Sequence, residues 1–252
     1  MRTKLEKDRR RVPPMPSPVL KRLYRSALRA TLESKNGQRH PGLAAIEAAA
    51  TMQLRARDVL VCATKSSTGS FDPCLGSNGG KAQLFPAASG TISDASAPAI
   101  YLARAVKLSQ PRGAVLAMIT ERIQSTIERN LAIHLLEEAA KEKLPVVLVT
   151  TAAVGFSASQ RKPGGVPRVS VDASDPIAVY RVCQESLRRA REGTGPTLVE
   201  CVSARRDGLI FLENTLQQYG IWSEEWKQKL VREFRFNGVR VQHKPTRTRN
   251  GR

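Results

Sequence analysis

Hydrophobic and polar positions alternate along the chain in two registers. Short, continuously apolar runs recur: "DVLVCAT" from Asp58, "GAVLAMI" from Gly113, "PVVLVTT" from Pro145 and "TLVECVSA" from Thr197. Runs of this length and character are strands buried on both faces. "PRVSVD" from Pro167 adds a fifth, so strands are expected near 58–64, 113–119, 145–151, 167–172 and 197–203. Between them leucine and alanine return at helical spacing. Helices are expected at about 19–34, 42–54, 97–108, 176–191, 209–219 and 223–234, with a further long one between the second and third strands. Ser174-Asp175-Pro176 supplies an N-cap followed by a first-turn proline, a clear helix start. Strands alternating with helices of ten or more residues imply a parallel sheet covered on both sides. The fold class is therefore α/β, as one three-layer α/β/α domain with no internal repeat.

Residues 66–95 interrupt this rhythm. They are rich in Ser, Gly, Asn and Pro and read as one long loop. "PPMPSP" separates a basic opening from the first helix, which divides the chain into a leader (1–17), a folded domain (18–236) and a basic tail (237–252). A hydrophobic content of 41% and a charged content of 25% suit a folded globular domain. No apolar run approaches the roughly 18 residues of a membrane helix, and no secretory signal is visible, so no membrane contact and a cytoplasmic location are expected.

A formal charge of +19 changes the picture more. Much of it lies at the ends, in "MRTKLEKDRRR" and "FRFNGVRVQHKPTRTRNGR", which should attract polyanions weakly and through charge alone. Glu6 and Asp8 break the first of these segments, which argues against a mitochondrial presequence.

Chemical motifs are sparse. Cys62, Cys74, Cys183 and Cys201 form no CxxC pair and have no metal-like spacing with histidine; Cys62 and Cys201 fall in strands, as small core residues do. "LGSNGGKA" has the Gly80-Lys81 of a phosphate loop, but Leu75 and Ala82 replace its first glycine and its hydroxyl. No GxGxxG follows a strand, and neither GxSxG nor HExxH occurs. His134 lies alone within a helix, and "SLRRARE" reads as a solvated helix face. Taken alone, these residues give an α/β domain with no catalytic residue.

A resemblance carries the reading further. The stretch "LPVVLVTTAAVGFSASQ…GVPRVSVDASDPIAVYRVCQESLRRAREGTGPTLVECVSAR" resembles the alpha subunit of thiamine-diphosphate-dependent 2-oxo acid dehydrogenases, the decarboxylating components of the pyruvate and branched-chain complexes. Asp172, Asp175, Pro176, Val179, Tyr180, Gly193, Gly195, Pro196, Thr197 and Glu200 fall in register with the family pattern. "GGKAQLFP" and "DGLIFLENTLQQYGIWSEEW" are similar to further family segments, so the resemblance covers about residues 20–234. It implies the thiamine-diphosphate-binding fold, a cofactor held with magnesium, and a beta subunit as partner.

The departures from the pattern fall on the chemistry. The family's Gly-Asp-Gly, whose aspartate holds magnesium, aligns with Ile123, Gln124 and Ser125. Its asparagines align with Ala152 and Ala153, and the tyrosine that follows them with Gly155. Thr64 and Lys65 replace the Tyr-Arg pair that grips the diphosphate, and "TISDAS", with Ile92 and Asp94, replaces a glycine-rich segment against which the cofactor packs. Magnesium demands hard oxygen ligands, and Gln124 offers one neutral oxygen where Ala153 offers none. The resemblance thus implies vestigial cofactor positions at Thr64, Lys65, Ile92, Asp94, Gln124, Ser125 and Gly155, no metal site, and a non-catalytic, pseudoenzyme-like subunit. Two alternatives stand beside it. One is an active oxidoreductase subunit that decarboxylates a 2-oxo acid with thiamine diphosphate and magnesium; the other is a basic scaffold that binds nucleic acid. Assembly with a beta-like subunit, or self-association, is expected through the small-residue helices "GLAAIEAAATMQL" and "ASAPAIYLARAV".

Overall fold

A computed structural model describes residues 14–32, 41–62, 82–86, 92–119, 126–151, 164–202 and 207–242. In chain order the elements are α1 (Ser17–Leu32), α2 (Pro41–Thr51), β1 (Val59–Cys62), β2 (Gln83–Pro86), α3 (Ile92–Ser109), β3 (Val115–Ile119) and α4 (Thr126–Lys141). They continue with β4 (Val146–Thr151), β5 (Arg168–Asp172), α5 (Pro176–Arg191), β6 (Thr197–Val202), α6 (Gly208–Gln218) and α7 (Glu224–Gln242). All the strands pair in parallel, in the order β2-β1-β3-β4-β6-β5.

The continuous apolar runs explain the layering. Side chains alternate across a strand, so a strand apolar at every position feeds two cores. Leu60, Leu116, Met118, Val147, Val149, Val199 and Cys201 join α1, α2, α5, α6 and α7 on one face. Val59, Val61, Val115, Ala117, Ile119, Val146, Leu148 and Leu198 join α3 and α4 on the other. The fold is a three-layer α/β/α sandwich, as the sequence pattern predicts.

Local signals set the boundaries. Asp175 caps α5, its Oδ1 accepting from the backbone N–H groups of Ile177 at 2.9 Å and Ala178 at 3.0 Å, with Pro176 in the first turn. Gly193 and Gly195, at φ +77° and +103°, turn the chain from α5 into β6 in a region that β-carbon-bearing residues avoid. Asp207 caps α6 through the N–H of Leu209 at 2.8 Å.

Several expectations need correction. The long loop expected over 66–95 contains β2, whose Pro86 is tolerated because β2 is an edge strand. Helix α3 starts at Ile92, not near Ala97: Pro98 reads as a first-turn proline in the sequence but lies inside the helix. Helix α7 continues to Gln242, beyond the expected helix end at Phe234 and into the stretch expected as a tail. Met15, in the stretch expected as a leader, is buried in the core. The alanines of α2 (Ala44, Ala45, Ala48, Ala49 and Ala50) are fully buried within the chain's own core, so they serve its internal packing. "SLRRARE" is solvated at Arg188 and Arg189, but Arg191 turns inward to Asp58. No helix among the described residues is long and apolar enough to cross a membrane.

Candidate functional site

Strand order points to a candidate site. From β1 the chain moves outward to β2 and then returns past β1 to β3, so the direction of winding reverses between β1 and β3. Ligands of open α/β sheets bind outside the carboxyl ends of the strands at such a reversal. There β1 ends at Cys62, β3 at Ile119 and β4, the next strand across, at Thr151. Because the strands are parallel, these ends lie along one edge of the sheet.

The residues singled out in the sequence follow directly on these strands. Thr64 and Lys65 come just after β1, Gln124 and Ser125 lie between β3 and α4, and Ala153 and Gly155 come just after β4. All six lie outside the described residues. Ile92 and Asp94 fall in the first turn of α3. The three strands that precede these segments in the chain, β1, β3 and β4, are adjacent. The basic termini, 1–13 and 243–252, also lie outside the described residues.

The described rim of this edge is apolar on one side and polar on the other. Cys62, Met118 and Ile119 are buried at the ends of β1 and β3. Further across, the pairing register places Ile119, Thr150, Glu200 and Ser170 in one row across β3, β4, β6 and β5. Thr150 and Glu200 are both buried. Arg168 donates through Nε to Glu200 Oε2, and Ser170 Oγ reaches the same oxygen at 3.5 Å. Glu200 Oε1 is buried and lacks a hydrogen-bond partner among the described residues. With strands about 4.8 Å apart, this carboxylate stands two strands, or about 10 Å, from β3. It is committed to Arg168 and does not reach the β1–β3 crevice.

Among the described residues, the other titratable candidates are buried thiols and a surface histidine. Burial raises the Cys201 thiol to about 12 and pushes the Cys183 thiol well above its ordinary value, with a smaller contribution from Cys201. Such thiols stay protonated at neutral pH and are poor nucleophiles. Cys62 is likewise buried. His134 is exposed on α4, with Nδ1 3.4 Å from Glu137 Oε2, a surface pair. Among the described residues no group of three or more His, Cys, Asp or Glu side chains could hold a metal.

Parts of the chain are similar to known proteins. Residues 152–210 match the family described as dehydrogenase E1 component. The 2-oxoisovalerate dehydrogenase subunit alpha of Bacillus subtilis is 49% identical over 41 residues, 16% of this chain and 12% of the relative. The pyruvate dehydrogenase E1 component subunit alpha of Acholeplasma laidlawii is 30% identical over 94 residues, 27% of each chain. Over these segments the chain is similar to dehydrogenase E1 alpha subunits. The matched segments cover about a quarter or less of those relatives' own lengths. The benzoylformate decarboxylase structure of Polynucleobacter necessarius superposes with a TM-score of 0.46 at 13% identity, over 64% of this chain and 33% of that one.

Within the matched segment, the shared positions do structural work. Asp175 and Pro176 start α5, Gly193 and Gly195 make the turn into β6, and Glu200 pairs with Arg168. Sequence reading alone missed the role of Arg168, and it missed Asp58 as the partner of Arg191. A charged residue directly before a buried strand, as Asp58 is, was the available signal.

Proposed function

We propose that the protein is an alpha-subunit-like member of the thiamine-diphosphate-dependent 2-oxo acid dehydrogenases that has lost its cofactor site and acts as a non-catalytic subunit beside a beta-type partner. One observation carries this reading. The three strands bordering the topological reversal lead straight into the segments where the family's diphosphate and magnesium ligands are replaced. A magnesium ion there would need near-octahedral oxygen donors, including carboxylate. Gln124 supplies a neutral amide and Ala153 a methyl group, while the carboxylate of Glu200, two strands from β3, is bonded to Arg168. The donor set does not fit the ion, and no catalytic step is assigned to it.

Loss of ligands leaves the scaffold free to assemble. The α3–α4 layer exposes Tyr101, Leu108, Ile127 and Leu131, apolar side chains of the kind that subunit contacts cover. This supports a partner on that face. Co-expression with the beta subunit of a 2-oxo acid dehydrogenase tests the reading: a complex stable in molar salt, without 2-oxo acid decarboxylation above the beta subunit alone, is expected. A complex that turns over a 2-oxo acid would restore the active reading, and failure to form any complex would remove the partner.

A further inference from the structure

At the opposite end of the sheet, where β1 and β6 begin, a groove of about 520 Å³ runs between the turn after α2 and the outer face of α5. Its lining is polar and rich in arginine: Arg55, Arg181, Arg188 and Arg191, with Gln53 and Gln184, against the single carboxylate of Glu185.

The floor is fixed. Arg191 is 8% exposed and donates to Asp58 Oδ2 at 2.5 Å and to the backbone oxygen of Gln53 at 3.1 Å. Gln53, itself buried, donates through Nε2 to the backbone oxygen of Tyr180, tying the α2 turn to α5. On the wall, Arg188 is held between Glu185 and Glu192 along α5. The charges of Arg191 and Arg188 are therefore matched by carboxylates. Those of Arg55 and Arg181 are not: Arg181 donates to the backbone oxygen of Pro14, and the Arg55 side chain has no ion pair among the described residues. Two guanidinium groups without a carboxylate partner among the described residues thus share one concave surface.

This arrangement selects its ligand by chemistry. Guanidinium matches phosphate oxygens in bidentate geometry and stays charged at any physiological pH. The volume falls within the range of about 300–1,000 Å³ typical of small-molecule sites, while the polar lining disfavours an apolar compound. A groove walled on two sides suits a compact ligand better than a polymer backbone. We propose that this groove binds a small di- or triphosphate compound, with Arg55 and Arg181 as its principal contacts and the Asp58–Arg191–Gln53 floor as the support that holds the groove open. The site is separate from the β1–β3 crevice and does not depend on its state.

Calorimetric titration of the full chain at 0.15 M salt tests this, with inorganic tripolyphosphate, ATP and citrate as probes. Tripolyphosphate should bind, and citrate, a polycarboxylate, should bind at least about tenfold more weakly. Arg55→Ala and Arg181→Ala should each lower tripolyphosphate affinity about tenfold, the effect of losing one charge-assisted hydrogen bond. Arg232→Ala, on exposed α7, should leave it unchanged, with circular dichroism confirming that every variant is folded. Equal affinity for ATP and tripolyphosphate would identify the phosphate chain alone as the ligand, and tighter ATP binding would add the nucleoside; both support the site. No binding, citrate bound as tightly as tripolyphosphate, or equal losses in Arg55→Ala and Arg232→Ala would overturn it.

Discussion

Asp58 and Arg191, 133 residues apart in the chain, form an ion pair at 2.5 Å with the carboxylate fully buried and the guanidinium 8% exposed. Asp58 Oδ1 also accepts from the N–H of Ala114 at 2.9 Å, and Oδ2 from the N–H of Arg55 at 2.7 Å. A single carboxylate thus joins the α2 turn, the start of β3 and the end of α5. Removing one partner of such a pair strands the other charge in the interior, which costs about 3–5 kcal/mol. Asp58→Ala should therefore destabilise the domain by that amount in urea denaturation, because the two backbone donors and Arg191 all lose their acceptor. A cost below about 1 kcal/mol, the range of an exposed pair, would contradict the role assigned to Asp58.

Gly113 marks a place where only glycine fits. A β-carbon there would lie 2.6 Å from the carbonyl oxygen of Arg57 and 2.8 Å from Val106 Cγ1. The first contact is with backbone and cannot be relieved by a rotamer change. Gly113→Ala should cost about 1–3 kcal/mol. Gly164→Ala, whose new carbon would meet nothing closer than 4.0 Å, should stay within about 0.5 kcal/mol of the parent. Equal stabilities for the two variants would show that the start of β3 is looser than described.

The strands and most helices were legible because the signals that specify them are local. "VLVC", "VLAMI" and "VVLVTT" are apolar at nearly every position, which only a sheet covered on both faces rewards. Asp175-Pro176 fixed the start of α5 to the residue. β2 was not legible, since Gln83–Pro86 lies within a Ser/Gly-rich stretch and gains its strand character from pairing along β1. The pairing of Arg191 with Asp58 was hidden for a similar reason: partners 133 residues apart meet only once the sheet has formed. At the candidate site, the sequence offered positions through resemblance alone, and those after β1, β3 and β4 lie outside the described residues. The strand order adds that β1, β3 and β4, which precede them, are parallel neighbours.

Buried thiols give a pH-dependent prediction. The ordinary thiol value in an unfolded chain is about 8.5. Burial raises Cys201 to about 12 and Cys183 well above its ordinary value, so between these limits the folded state holds protons that the unfolded state releases. Their contribution to stability is thus complete below about pH 8.5 and declines as pH rises toward 12. Urea midpoints measured from pH 7 to pH 10 should fall, and the Cys201→Ala variant should show a shallower fall. Native Cys183 and Cys201 should resist iodoacetamide until denaturant is added. Rapid labelling of either thiol in the native protein, or an unchanged slope in the variant, would be inconsistent with their burial.

In the proposed function, the β1–β3 crevice no longer forms a magnesium–thiamine diphosphate site. Thermal and chemical denaturation with both ligands present, for the chain alone and mixed with a beta-type subunit, tests it most directly. A competent site saturated at a hundred times its dissociation constant would add about 2.7 kcal/mol of stability. No magnesium-dependent stabilisation is expected in either sample, and little gain from Gln124→Asp combined with Ala153→Asn, since Thr64 and Lys65 remain in place of the diphosphate-gripping pair. A magnesium-dependent gain of about 2.7 kcal/mol in the unmodified protein, with or without the partner, would contradict it.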